Sequence, residues 1–398
     1  MTAAATLPGT TDGVVHDAGP GRRDAYLPAA TVQSHAANLM QLPDGTLGCV
    51  WFGGTQEGVP DISVWYSRLE PGSEQWTEPE QLSDDSTRSE QNPILFVAPG
   101  GDVWLMYTAQ FAGNQDTSEV RCRVSTDGGV TFGPVRTMIP AGAGGGVFVR
   151  QPPVVLTDGR WVLGVFNCVS VPGERWVGNV DTSSVYSSAD QGATWTETPV
   201  PDSVGAVHMN PVPLADGSFL AVYRSRWADH VYASWSSDGV EFSAPVPLSL
   251  PNNNSSVQAV ALADGRVAMV FNNSSAADAT DRRVSLYDEI DDDGLADVAE
   301  PQVLADSGSS ERTAFWGAPR APMTLAISSD GGRTWPLMRD LEVGDGYCMT
   351  NNSRDGLNRE FSYPSIRQGD DGSLDIAFTY FRQAIKYVHV DLDWIDQG

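Results

Sequence analysis

The sequence predicts an all-β protein folded as a six-bladed β-propeller. Three observations carry that expectation. One hairpin phrase recurs six times along 398 residues. A second phrase, built from Ser, Asp, Gly and a closing aromatic, follows several of the hairpins. The composition of 40 Gly and 26 Pro with 41% hydrophobic residues suits a globular chain with many turns.

The hairpin phrase reads LPDGTLGCVWF, APGGDVWLMYT, LTDGRWVLGVF, LADGSFLAVYR, LADGRVAMVFN and GDDGSLDIAFT, with turn glycines Gly45, Gly101, Gly159, Gly217, Gly265 and Gly372. In each, a turn sits between two runs rich in Val, Ile, Leu, Phe and Trp, the pattern of a β-hairpin. The spacing is 56, 58, 58 and 48 residues, and the last interval is 107, one blade plus an insertion. A period of roughly 50 residues made of strands alone implies blades arranged around an axis.

The second phrase appears as STDGGVTF (Ser125 to Phe132), SADQGATW (Ser188 to Trp195) and SSDGGRTW (Ser328 to Trp335). Worn copies are SSDGVEF (Ser236 to Phe242) and the stretch ending at Trp76. Ser and Asp side chains close such a turn on backbone N–H groups, and the aromatic plugs back between strands. This is the Asp-box turn, which marks fold rather than function because it lies on the outer rim.

The last blade, AFTYFRQAIKYVHVDLDW, lacks a box, so a strand from the N-terminal region is expected to close the ring. Residues 1–24 then read as a tail and 25–398 as the propeller, with an insertion at about 274–319. Inside the insertion, EIDDDGLADVAE carries acids at Glu289, Asp291, Asp293, Asp297 and Glu300 around Gly294. That spacing approaches a calcium loop, but Glu289 stands at the first position and flanking helices are not evident. An acidic surface loop is the simpler reading, and a structural Ca2+ the alternative; no other cofactor is implied.

Composition also excludes function classes. The net charge of −27, with Lys386 the sole lysine, disfavours nucleic acid, which is held by clustered Lys and Arg. Any acidic substrate must be met by a few placed arginines. Cys49, Cys122, Cys168 and Cys348 are widely spaced and show no metal or redox pattern, so buried free thiols are expected. The N-terminus has no basic, apolar leader, which makes a cytoplasmic location the simplest reading with secretion left open. No apolar run approaches the ~18 residues of a membrane span.

In a propeller, the inner strand starts and the second strand ends on one face. Residues eight to ten before each turn glycine, and about seven after it, should therefore ring the axis. The first set holds His35, Gln91, Asn92, Arg150, Gln151, His208, Ser255, Ser256 and Tyr363. The second holds Thr108, Asn167, Arg224, Asn272 and Thr379. Asn210 and Arg382 join them as candidate substrate contacts. Convergence of such polar strand ends on one pocket is the better explanation of the set.

With the boxes and this ring in place, the chain after about residue 24 resembles the sialidase superfamily, particularly its bacterial Asp-box members. The resemblance implies an arginine clamp on a sugar carboxylate, a nucleophilic Tyr helped by a Glu, and a loop Asp as acid/base. Tyr363 in FSYPSI stands where the nucleophile would, Arg224 and Arg320 where two clamp arginines would, and Asp61 where the acid/base would, with Glu57 as its rival. Two positions depart: His35 stands where the first arginine is expected, and His208 where the Glu is expected. Arg359 and Glu360 lie close enough in sequence to compensate.

Three functions follow. The first is an exo-acting glycoside hydrolase on a terminal acidic sugar, with Tyr363 as nucleophile and His208 as its base. The second is a lyase cleaving beside a uronate by β-elimination, with His35, His208 and Tyr363 as acid and base. The third is a non-catalytic glycan-binding propeller. A small oligosaccharide or glycan is the expected partner in all three, with neither nucleic acid nor membrane; the oligomeric state is open.

Overall fold

A computed structural model describes residues 4–283, 285–287, 289–290, 302–303 and 312–396. It is a six-bladed β-propeller of antiparallel sheets. The inner strands are Gln33–Gln41, Ser89–Val97, the pair Gly145–Val149 and Val154–Val155, Ala206–Pro213, Gln258–Ala261 and Phe361–Gln368.

The hairpin turns explain why the phrase repeats. All six turn glycines have φ between 84° and 93°, a left-handed conformation that a side chain would strain. In five turns the Asp before the glycine accepts the N–H two residues on; Asp44 takes Thr46 and Asp216 takes Ser218, both at 2.9 Å. The rim turns follow the same logic. Ser188 Oγ accepts the Gly192 N–H at 2.8 Å while Asp190 accepts the Thr194 N–H and hydroxyl at 2.8 and 2.6 Å. Those bonds pull the Asp190 carboxyl down to about 2.

The core is divided by the geometry of the ring. Six apolar clusters each join two neighbouring blades, as where Val212, Leu220 and Val222 of the fourth meet Val267, Met269 and Phe271 of the fifth. A seventh lies across one end of the axis and mixes Phe148, Phe166 and Tyr363 of the blades with Leu286, Tyr287, Ile290, Ala314 and Trp316 of the insertion. The insertion leaves the fifth blade after Val267–Asn272 and returns at Met323–Ser328. Its described residues therefore form a roof over the axis. All four cysteines are buried free thiols.

Closure differs from expectation in one respect. The N-terminal strand Arg22–Tyr26 pairs with Ala384–Val390 and is flanked in turn by His16–Asp17. The ring thus takes up chain that was expected to be tail through residue 24. The physical reason is hydrogen bonding: without a fourth strand the Ala384–Val390 edge would be open.

Candidate active site

A backbone device repeated in four blades aims side chains at the axis. The inner strand shifts register between His35 and Asn38, Gln91 and Ile94, Val207 and Asn210, and Ser362 and Ser365. Within each shift one non-glycine residue is left-handed: Ala36, Asn92, His208 and Tyr363, with φ of 62°, 49°, 57° and 53°. All four stand at the same distance from their turn glycine. Such bulges re-aim side chains, and non-glycine residues held this way gather at functional sites.

Tyr363 is the centre of the site. Its hydroxyl accepts a 2.5 Å bond from Arg224 Nη1. The His35 ring lies 4.4 Å from the Tyr363 ring, and the His208 ring lies edge-on at 5.5 Å, itself stacked on Phe166 at 4.6 Å. Arg150, Arg224 and Arg320 hold their guanidinium carbons 5.5, 5.6 and 5.6 Å from the same phenol ring.

The arginines fall into two kinds. Arg320 and Arg382 are neutralised by Glu360, at 3.1 and 2.5 Å, and Arg382 also binds Glu57 at 2.6 Å. These cations hold the buried Glu360 carboxyl below its usual range despite desolvation. Arg224 and Arg150 have no carboxylate partner among the described residues. Arg224 spends Nε on Asn254 Oδ1 at 2.6 Å and leaves Nη2 unbonded. Arg150 gives Nη2 to the carbonyls of Ala37, Tyr363 and Pro364, and leaves Nε and Nη1 unbonded. Burial lowers both to about 10, so both remain cationic at neutral pH.

Both histidines are pushed well below the ordinary imidazole value, first by burial and then by the surrounding arginines. They are neutral at pH 7. His35 Nδ1 meets Thr379 Oγ1 at 2.8 Å, and His208 Nε2 lies 3.4 Å from Arg224 Nη1. Two neutral imidazoles, a phenol and two uncompensated cations are therefore buried side by side; Tyr363 is only 5% exposed.

Other candidates stand elsewhere. Asp61 is exposed and accepts the Thr55 N–H at 3.2 Å, whereas Glu57 is buried and enters the cluster through Arg382. Asn210 faces the other end of the axis, lining a cavity of about 260 Å3 with Pro152, Pro211 and Ile366. Its Oδ1 accepts the Ala259 N–H of the next blade at 2.6 Å. Gln151 binds Val257 O and Gln258, and Asn272 binds the carbonyls of Pro322 and Phe361. These three brace the ring, because inner-strand backbone groups facing the axis need partners. Asn92 occupies the second blade's bulge. Arg359 turns outward to Asp345 at 2.6 Å.

Of the acidic insertion motif, Glu289 is buried and accepts the Asn351 N–H at 2.9 Å, so it belongs to the roof. Asp291, Asp293, Asp297 and Glu300 lie outside the described residues. Among the described residues no cluster of His, Cys, Asp and Glu could hold a metal ion, and no helix is long and apolar enough to cross a membrane.

Sequence reasoning missed Arg226 and Trp316. Arg226 binds Asp181 through Nε and Nη2 at 3.0 and 2.7 Å. The Trp316 ring lies between Arg224 and Arg226, 5.5 and 5.1 Å from their guanidinium carbons. Arg226 was findable, since it lies two residues beyond Arg224 and points to the same side. Trp316 carried no signal, because the insertion does not repeat.

Fold and site together define a six-bladed β-propeller with arginines, histidines and a tyrosine gathered at its axis. The chain belongs to the family of the BNR repeat-like domain, whose model matches residues 45–376. No curated protein matches by sequence. Among solved structures, the Hadza microbial sialidase Hz136 superposes with a TM-score of 0.65 at 14% identity, covering 92% of this chain and 66% of that one. This chain therefore spans just under two thirds of that sialidase. The intramolecular trans-sialidase from Ruminococcus gnavus, solved with oseltamivir carboxylate, gives 0.65 at 12% identity over 93% and 97%. A protein of unknown function from Dyadobacter fermentans gives 0.65 at 15% over 94% and 100%. At these identities the likeness establishes the fold.

Proposed function

We propose that the axial site is the active site of a carbohydrate-active enzyme that cleaves a glycan beside a carboxylate-bearing sugar by β-elimination. One observation carries this: Arg224 and Arg150 are buried, cationic and without a carboxylate partner among the described residues, next to Tyr363 and two neutral histidines. A buried cation is stable when paired, so the site is built for an incoming anion.

The free Nη2 of Arg224 takes the sugar carboxylate and stabilises the charge that develops as C5 loses its proton. Neutral His208 accepts that proton. The C5–H electron pair forms the C4=C5 double bond, the C4–O bond breaks, and the Tyr363 hydroxyl gives its proton to the leaving oxygen. Water is not consumed. His35, between Tyr363 and Thr379, fixes the phenol's position. Elimination is favoured over hydrolysis because Asp61 is exposed and bonded to the Thr55 N–H, and Glu360 and Glu57 are committed to arginines; among the described residues no carboxylate bonds the phenol.

A second reading is retained for one reason. Tyr363 sits at the axis with an arginine on its hydroxyl, and the named sialidases share the fold, so attack by Tyr363 on the anomeric carbon of a terminal acidic sugar is the alternative. Digestion of rhamnosyl-glucuronates and sialosides separates the two. Absorbance near 235 nm, from an unsaturated uronate, is expected. Release of a free acidic sugar with one water added establishes hydrolysis instead, and silence across the panel leaves a binding protein.

A further inference from the structure

A groove of about 500 Å3 opens between the third and fourth blades, on the face that carries the site. Its walls include the exposed Val171, Val180 and Val204, the half-buried Trp227, and two arginines, Arg175 and Arg312. In a chain with 24 basic and 51 acidic residues, a groove lined by two arginines and a single carboxylate, Glu174, reverses the local balance. Arg312 is 65% exposed; it donates to the Tyr232 hydroxyl at 3.0 Å and lies 3.5 Å from Asp229.

The groove also adjoins the roof of the axial site. Its inner wall is Trp176, whose ring centroid is 6.2 Å from that of Trp316, and Trp316 in turn covers Arg224. The same wall anchors the roof through three hydrogen bonds. Arg175 donates to Tyr287 O at 2.6 Å, Val177 O accepts from Trp316 Nε1 at 3.1 Å, and Asn179 Oδ1 accepts the Ala314 N–H at 2.8 Å.

We propose that this groove is an outer subsite for an anionic oligosaccharide, receiving the sugars attached to the residue processed at the axis. The inference rests on the axial site being a place of sugar chemistry. An indole beside apolar side chains offers a sugar's C–H face a platform, and the two guanidinium groups meet further carboxylates or sulfates along the chain. The substrate is then a chain of several sugars rather than a disaccharide.

The test is calorimetric titration of the full-length Tyr363→Phe protein with oligogalacturonate and heparin-derived hexasaccharides and their disaccharides. The hexasaccharides are expected to bind at least ~10-fold more tightly, and Trp227→Ala or Arg312→Ala to abolish that gain. Trp227 packs on Gly205, so its loss threatens folding; Arg312, on an exposed edge, gives the independent variant. Binding that is unchanged in both variants overturns the groove, as does no binding at all. Length-dependent binding lost on Arg312→Ala, with no product from wild type, keeps the groove and sinks the axial reaction. Product without length dependence does the reverse.

Discussion

At the scale of the residue, the site turns on what a bulge allows. His208 and Tyr363 pay left-handed strain to reach the axis, so test substitutions must respect φ. Asn tolerates that conformation and occupies the equivalent position in the second blade as Asn92. His208→Asn should therefore keep the fold while removing the base, lowering kcat about 100- to 10,000-fold. Tyr363→Phe should do the same while shifting the melting temperature little. Steady-state rates paired with thermal melts check both; a variant retaining more than a tenth of wild-type kcat would remove that residue from the chemistry. The pH dependence follows from the depressed imidazoles. Below pH ~6.5 the unfolded chain takes up protons on His35 and His208 that the folded site refuses. Each therefore takes away up to about 1.4 kcal/mol per pH unit as pH falls. His389, raised by its bond to Asp375, acts oppositely: its stabilisation is present at low pH and lost as pH rises through its folded value. In a His389→Gln background, urea melts should show lower stability at pH 5.5 than at 7.5. The acid limb of kcat/KM should lie below the ordinary histidine value.

At the scale of the element, legibility followed repetition. Turn chemistry admits few residues, so six Asp/Gly hairpins and the Ser-Asp-Gly boxes were visible without any partner, and counting back from each turn glycine found His35, His208, Tyr363 and Arg150. Counting could not separate polar side chains that meet a substrate from those that brace the ring. Gln151, Asn210 and Asn272 satisfy backbone groups of neighbouring blades, a demand set by the fold and silent in any one strand. The roof was opaque for a simpler reason: Trp316 and Tyr287 belong to a segment that occurs once. The boxes predict separable roles for rim and axis. Trp335 is 4% exposed and packs where the fourth and fifth blades meet. Trp335→Ala should destabilise the fold by about 3–5 kcal/mol through the cavity it leaves. Its kcat at 25 °C should match wild type, because no axial group touches it. A change in kcat at full folding would show that the rim is coupled to the site.

At the scale of the molecule, a propeller is as strong as its last joint. Each blade buries its faces only against two neighbours, so six interblade clusters stand or fall with closure of the circle. The joint is made by chain from opposite ends: five residue pairs join Arg22–Tyr26 to Ala384–Val390. The only lysine in the sequence sits in it. Lys386 Nζ binds Asp24 at 2.8 Å and also Glu342 of the fifth blade, and Arg22 binds the same two acids at 2.8 and 3.1 Å. One cation pair thus ties the N-terminal strand, the sixth blade and the fifth together in a chain of −27 net charge, whose self-repulsion favours opening. Lys386→Gln leaves Asp24 and Glu342 half-buried with Arg22 alone. The expected loss is about 1.5–3 kcal/mol, the value of hydrogen bonds to charged groups. The mode of loss is the sharper test. If closure governs the molecule, hydrogen exchange in Lys386→Gln should rise together in all six inner strands. If exchange rises only in Arg22–Tyr26 and Ala384–Val390, the joint is a local latch and the remaining blades hold the ring without it.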